Sequence, residues 1–121
     1  MIFFLPQGHL ETVEMLLYHK KSTFDDRREL YIALANAVFG GHIEIIKILL
    51  FNGANPNYSD ASVTPPIILA AHSGSMNILT ILIEWGANID QVDSKGRTPL
   101  HIAVGNRDAN TVRALLYAGN Y

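Results

Sequence analysis

The 121-residue chain has no cysteine and a single tryptophan. Without thiols there is no disulfide framework and no thiolate metal site, which fits an intracellular protein. Charged residues make up 17% of the chain and the net charge is −2, with Lys and Arg scattered. That pattern leaves no electrostatic footprint for nucleic acid. No apolar run reaches the roughly 18 residues that a membrane-crossing helix needs. Met1-Ile2-Phe3-Phe4-Leu5 is too short for a signal-peptide core, and no basic residue precedes it. Site chemistry is equally sparse. There is no His-Glu-x-x-His and no G-x-G-x-x-G, and Gly40-Gly41 lacks the Lys-Ser/Thr of a phosphate loop. No nucleophile, base and orienter fall at a workable spacing. No catalytic, cofactor-binding or metal-ligating residue is therefore assigned.

What is present is a hydrophobic fraction of 49%, which excludes a disordered tail, and a fixed period. Gly119, Gly86 and Gly53 stand 33 positions apart, as do Ala103, Ala70 and Ala37. Asp93 falls on Asp60, and Leu115 on Leu82, Leu49 and Leu16. A period in this range marks a stacked repeat architecture, in which no unit buries its apolar surface alone. Here it runs through the chain without insertion or deletion.

The residues in that frame carry a family likeness. Thr98-Pro99-Leu100-His101-Ile102-Ala103, Gly41-His42-Ile43-Glu44-Ile45-Ile46-Lys47-Ile48-Leu49-Leu50 and Gly53-Ala54-Asn55-Pro56-Asn57 recur in register. Together they resemble the ankyrin repeat over nearly the whole chain. The resemblance implies an all-α fold: a solenoid of stacked helix-turn-helix units with short β-hairpin fingers. It divides a single domain, 1–121, into a partial repeat 1–20 and repeats 27–53, 60–86 and 93–119. Finger linkers fall at 54–59 and 87–92.

In chain order, Gly8 to Leu17 matches the second helix of a first, incomplete unit. Apolar residues at both ends lead to the expectation of an excised piece of a longer array, or of a partner or second copy covering those ends. The pattern fails between Tyr18 and Leu30, where Lys20-Lys21 replaces Gly-Ala and Arg27 replaces the finger Asp. Asp26 and Glu29 instead form a capping-box pattern. This predicts a helix from about residue 26 or 27 to Phe39, with no good finger before it and Gly40-Gly41 at its end. Glu44 and Lys47 recur in phase at Asn77 and Thr80 and at Asn110 and Arg113, marking a solvent face. Gly53 is the expected cap of the helix from Ile43. Pro65-Pro66 opens the next inner helix, as Thr98 with Pro99 opens the last. In the unit 27–53 the finger phase falls on Arg28, Glu29 and Tyr31. Leu16, Leu49, Leu82 and Leu115 form one ladder of contacts between neighbours. Val13, Ile46, Leu79 and Val112 form a second.

Five histidines invite a metal or catalytic reading. His9 and His42 sit at one repeat phase before an outer helix, where the family uses the residue structurally. His101 resembles the family's latch on Thr98. His19 reads as solvated. His72 falls at a contact phase. Asn57-Tyr58-Ser59 is formally a glycosylation acceptor, and Asn57 occupies a finger position hydroxylated in some ankyrin proteins.

Relatives of this kind bind other proteins through finger tips and inner helices. Carried over residue by residue, the resemblance assigns partner contact to Phe39, Tyr58, Ser62, Thr64, His72, Ser73, Lys95, Arg97 and Asn106. It implies a non-catalytic adaptor that binds a protein or peptide on a concave face, with no cofactor, no nucleic acid and no membrane insertion. The other reading is a structural segment whose apolar ends stack on further repeats or on another copy, within a larger multidomain protein.

Overall fold

The computed structural model describes residues 26–58 and 60–119, apart from the side chain of residue 26. The incomplete first unit, with Val13, Leu16, His9, His19 and Lys20-Lys21, lies outside the described residues, as does the carboxylate of the Asp26–Glu29 capping box.

Six helices form in order: α1 Asp26–Gly40, α2 Ile43–Phe51, α3 Pro66–Ser73, α4 Met76–Glu84, α5 Pro99–Gly105 and α6 Ala109–Ala118. Connections of two or three residues turn α1 back into α2, α3 into α4 and α5 into α6, and each such pair packs as a hairpin. The inner helices α1, α3 and α5 stack side by side, and α4 packs on α6 in the outer layer.

Burial follows the 33-residue frame. Leu49 and Leu82 are fully buried and Leu115 is 3% exposed, and all three belong to one hydrophobic cluster. Ile46 and Leu79 are buried beside them, with Val112 packed against the same cluster. Ala37, Ala70 and Ala103 are buried in the inner helices, where a methyl side chain lets neighbouring backbones approach. Glu44, Lys47, Asn77, Thr80, Asn110 and Arg113 are all exposed, the face that their spacing assigns to solvent.

The inner helix α1 has 15 residues, against 8 in α3 and 7 in α5. Its extra turns occupy the stretch that would form a finger. Arg27, Arg28, Glu29 and Leu30 are good helix formers with no glycine or proline among them. Arg28, Glu29 and Tyr31 are thus helical rather than finger residues. Tyr31 is 1% exposed; burial first, and the Asp60 carboxylate second, push its phenol above the ordinary value.

Gly53 caps α2 as expected. With φ at +99° it lets the Ala54 N–H reach the Leu49 carbonyl (2.9 Å) and its own N–H reach Leu50 (3.1 Å), the paired bonds of a Schellman motif. Arg107 makes the same pair of bonds after α5, through Asp108 to Ala103 and its own N–H to Val104, with φ at +58°. It is the one non-glycine with positive φ among the described residues. Gly119 keeps the period but not the conformation: its φ is −90°. A Cβ there would lie 3.0 Å from Ile89 Cδ1, so a larger residue would have to push the tip of that side chain aside by a few tenths of an ångström.

The finger linkers expected at 54–59 and 87–92 and the residues that follow them are turns and irregular backbone where they are described, not β-hairpins. Among the described residues no strand forms. The tip of the second is closed by the Asp93 N–H on the Arg97 carbonyl and the Gly96 N–H on Asp93, both at 3.0 Å.

Candidate functional site

Each finger is built around one aspartate. Asp60 Oδ1 accepts the Ser62 hydroxyl (2.7 Å) and backbone N–H (3.0 Å), while Oδ2 takes Arg28 Nε of α1 at 2.8 Å. The Ser62 hydroxyl, then its N–H, and then Arg28 hold the Asp60 carboxyl below its usual range. Asp93 accepts the N–H groups of Lys95 and Arg97 on Oδ1, both at 2.9 Å, and binds the Arg97 guanidinium through Oδ2 at 2.8 Å. Its carboxyl is also depressed, chiefly by the Arg97 N–H.

Asn57 ties the two fingers together. Its Nδ2 donates to the Gly86 carbonyl (2.8 Å), and its Oδ1 accepts the Asn88 N–H (2.7 Å) and Gln91 Nε2 (3.0 Å). Both ends of the amide are engaged across the repeat boundary. The Tyr31 and Tyr58 rings meet with centroids 5.2 Å apart and planes at 46°, which seats the first finger on α1.

Two grooves result. One, of about 360 Å³, runs between α1, α3 and the first finger, with Ile32, Asn36 and Phe39 on one wall and Ser62, Val63 and Thr64 on the other. Phe39 is 79% exposed there. The second, of about 700 Å³, lies between the fingers, floored by Tyr31 and Tyr58 and walled by Ser62, Thr64, Gln91 and Ser94. The residues that the family likeness points to are therefore only partly gathered. Phe39, Ser62 and Thr64 share the first groove, and Tyr58, Ser62 and Thr64 the second. His72, Lys95 and Asn106 are exposed outside both. The Ser73 hydroxyl turns back to the Ala70 carbonyl at 3.0 Å, and Arg97 is clamped to Asp93. Ile32, Asn36 and Val63, with Ala35 and Leu69, complete the first groove without having been singled out. The helical spacing of Ile32, Asn36 and Phe39, four and three residues apart, was the signal that could have found the first two.

Two of the described histidines act locally. The His101 Nδ1 accepts the Thr98 N–H at 3.2 Å and lies 2.9 Å from its hydroxyl, while Thr98 accepts the His101 N–H, a reciprocal cap on α5. His42 lies so close over Gly40 that a Cβ there would be 2.6 Å from its Nε2. Among the described residues no three His, Asp or Glu side chains converge as a metal site. No described helix is long and apolar enough to cross a membrane.

A stack of helical hairpins, with turns projecting beside a groove along its inner helices, is a repeat solenoid of the class whose surfaces serve recognition. A family model for ankyrin repeats in three copies matches residues 34–121, and the chain belongs to that family. Compared with the curated proteins, it matches none. Ankyrin repeats are generally protein–protein interaction modules and typically non-catalytic.

Proposed function

We propose that this chain is a non-catalytic adaptor module acting inside the cell, which binds a protein or peptide along the concave side of repeats 27–53, 60–86 and 93–119. The exposure of Phe39, 79% on the wall of the groove between α1, α3 and the first finger, is the observation that carries this reading. A large ring held in water by a helix with a buried opposite face is suited to anchor a partner, since interface energy concentrates in aromatic and arginine residues. Tyr58, Ser62 and Thr64 extend the contact onto the first finger. His72, Ser73, Lys95, Arg97 and Asn106 continue it along α3, the second finger and the end of α5.

The test is affinity capture by wild type and by Phe39→Ala/Arg97→Ala, followed by measurement of the isolated pair. The double variant should melt as wild type does and lose at least about tenfold in affinity for the captured protein. Unchanged affinity in a folded double variant would move the interface away from the concave side.

A further inference from the structure

The outer layer carries a second apolar surface, separate from the concave one. Between α2 and α4 lies a cleft of about 390 Å³, with Lys47, Ile48 and Phe51 on one wall and Ile81, Glu84 and Trp85 on the other. Phe51 is 79% exposed and Trp85 47%. Tyr117, one repeat on from Glu84 and two from Phe51 in register, is 85% exposed on α6 with Leu116 beside it. Large rings gathered on one solvent face mark a surface that another molecule covers.

The charges indicate which molecule. Lys47 stands on the α2 wall and Glu84 on the α4 wall; both are exposed. Neither takes part in an ion pair among the described residues. A surface rimmed by one sign of charge repels its own copy. A rim with one positive and one negative wall is complementary to itself, because a two-fold axis between them exchanges the two. We propose that a second copy of this chain docks on this cleft. In the dimer Lys47 of each protomer meets Glu84 of the other, around a centre made by Phe51 and Trp85.

Trp85 is the only tryptophan in the chain, so its emission reports on the cleft directly. In the full chain, sedimentation and Trp85 emission followed over a concentration series should show dimer formation and a blue shift together. Lys47→Glu and Glu84→Lys each place like charges opposite one another, and each should weaken dimerisation at least about tenfold. Mixing the two single variants in equal amounts should restore association, as should the double reversal. A wild-type chain that stays monomeric at every concentration overturns the proposal, even with Trp85 shielded by another segment or partner. A dimer indifferent to both single reversals overturns it too, as does a mixture that fails to recover.

Discussion

The middle and last repeats are equivalent in sequence phase but are held in place by different means. The middle one borrows. Its finger aspartate, Asp60, reaches back to Arg28 of α1, and its Asn57 reaches forward to Gly86, Asn88 and Gln91. Its inner helix starts at Pro65-Pro66 with no side-chain cap. The last repeat supplies its own order: Asp93 closes on Arg97 of the same turn, Thr98 and His101 cap α5, and Asp108 caps α6 by accepting the Thr111 N–H at 3.2 Å, with the Thr111 hydroxyl on its other oxygen at 2.6 Å. A repeat in an array can thus obtain its polar satisfaction from neighbours or from its own residues. A borrowed contact couples repeats, whereas a private one does not.

That contrast is sharpest at one phase. Asn57→Ala strips the Gly86 carbonyl and the Asn88 N–H of their partner and should cost about 1–2 kcal/mol. Asp90→Ala, at the same phase in the second finger, removes no side-chain hydrogen bond among the described residues and should stay within about 0.5 kcal/mol. Urea melts of the two variants check this; equal losses would erase the distinction between the fingers.

A smaller effect, of opposite sign, is expected where the last repeat departs from its neighbour. Gly74 and Arg107 both end inner helices with positive φ, at 70° and 58°. An L side chain is strained there, so Arg107→Gly should raise stability by roughly 0.5–1 kcal/mol. The thermal midpoint should rise, and a fall would show that the Arg107 side chain contributes more than its backbone costs.

The smallest effect is electrostatic. Asp60 has a folded-state pKa below its ordinary value. Its stabilising contribution is therefore present above the usual carboxylate range and is lost as pH falls through the folded value. Because the Ser62 hydroxyl and the Arg28 guanidinium both hold that carboxyl down, Ser62→Ala and Arg28→Ala should each raise the Asp60 pKa. Neither variant should move Asp93. Carbon-detected carboxyl titration resolves the two aspartates; an Asp60 pKa unmoved by either substitution would contradict the part assigned to that side chain.

Much of the stack was legible in the sequence because one residue type at one phase performs the same packing task in each unit. Leu49, Leu82 and Leu115 share a cluster, and the polar positions of the outer helices are exposed. The span of α1 and its termination at Gly40-Gly41 were legible too, from capping and turn chemistry. The finger contacts were not. Periodicity aligns Asp60 with Asp93 but is silent on which arginine each one takes, since that depends on α1 replacing the preceding finger. The burial of Tyr31 follows from the same replacement. Outer-face rings such as Phe51 and Trp85 break the pattern rather than repeat it, so period-reading passes over them.

The central claim is that the repeats form one coupled stack, and Leu82, fully buried in its middle, is the place to test it. Truncation of such a leucine typically costs about 2–5 kcal/mol. Native-state amide exchange of Leu82→Ala should show protection falling in α1 and α2 on one side and in α5 and α6 on the other, as nearest-neighbour coupling requires. Loosening confined to α3 and α4, with the flanking hairpins as protected as in the wild type, would contradict it.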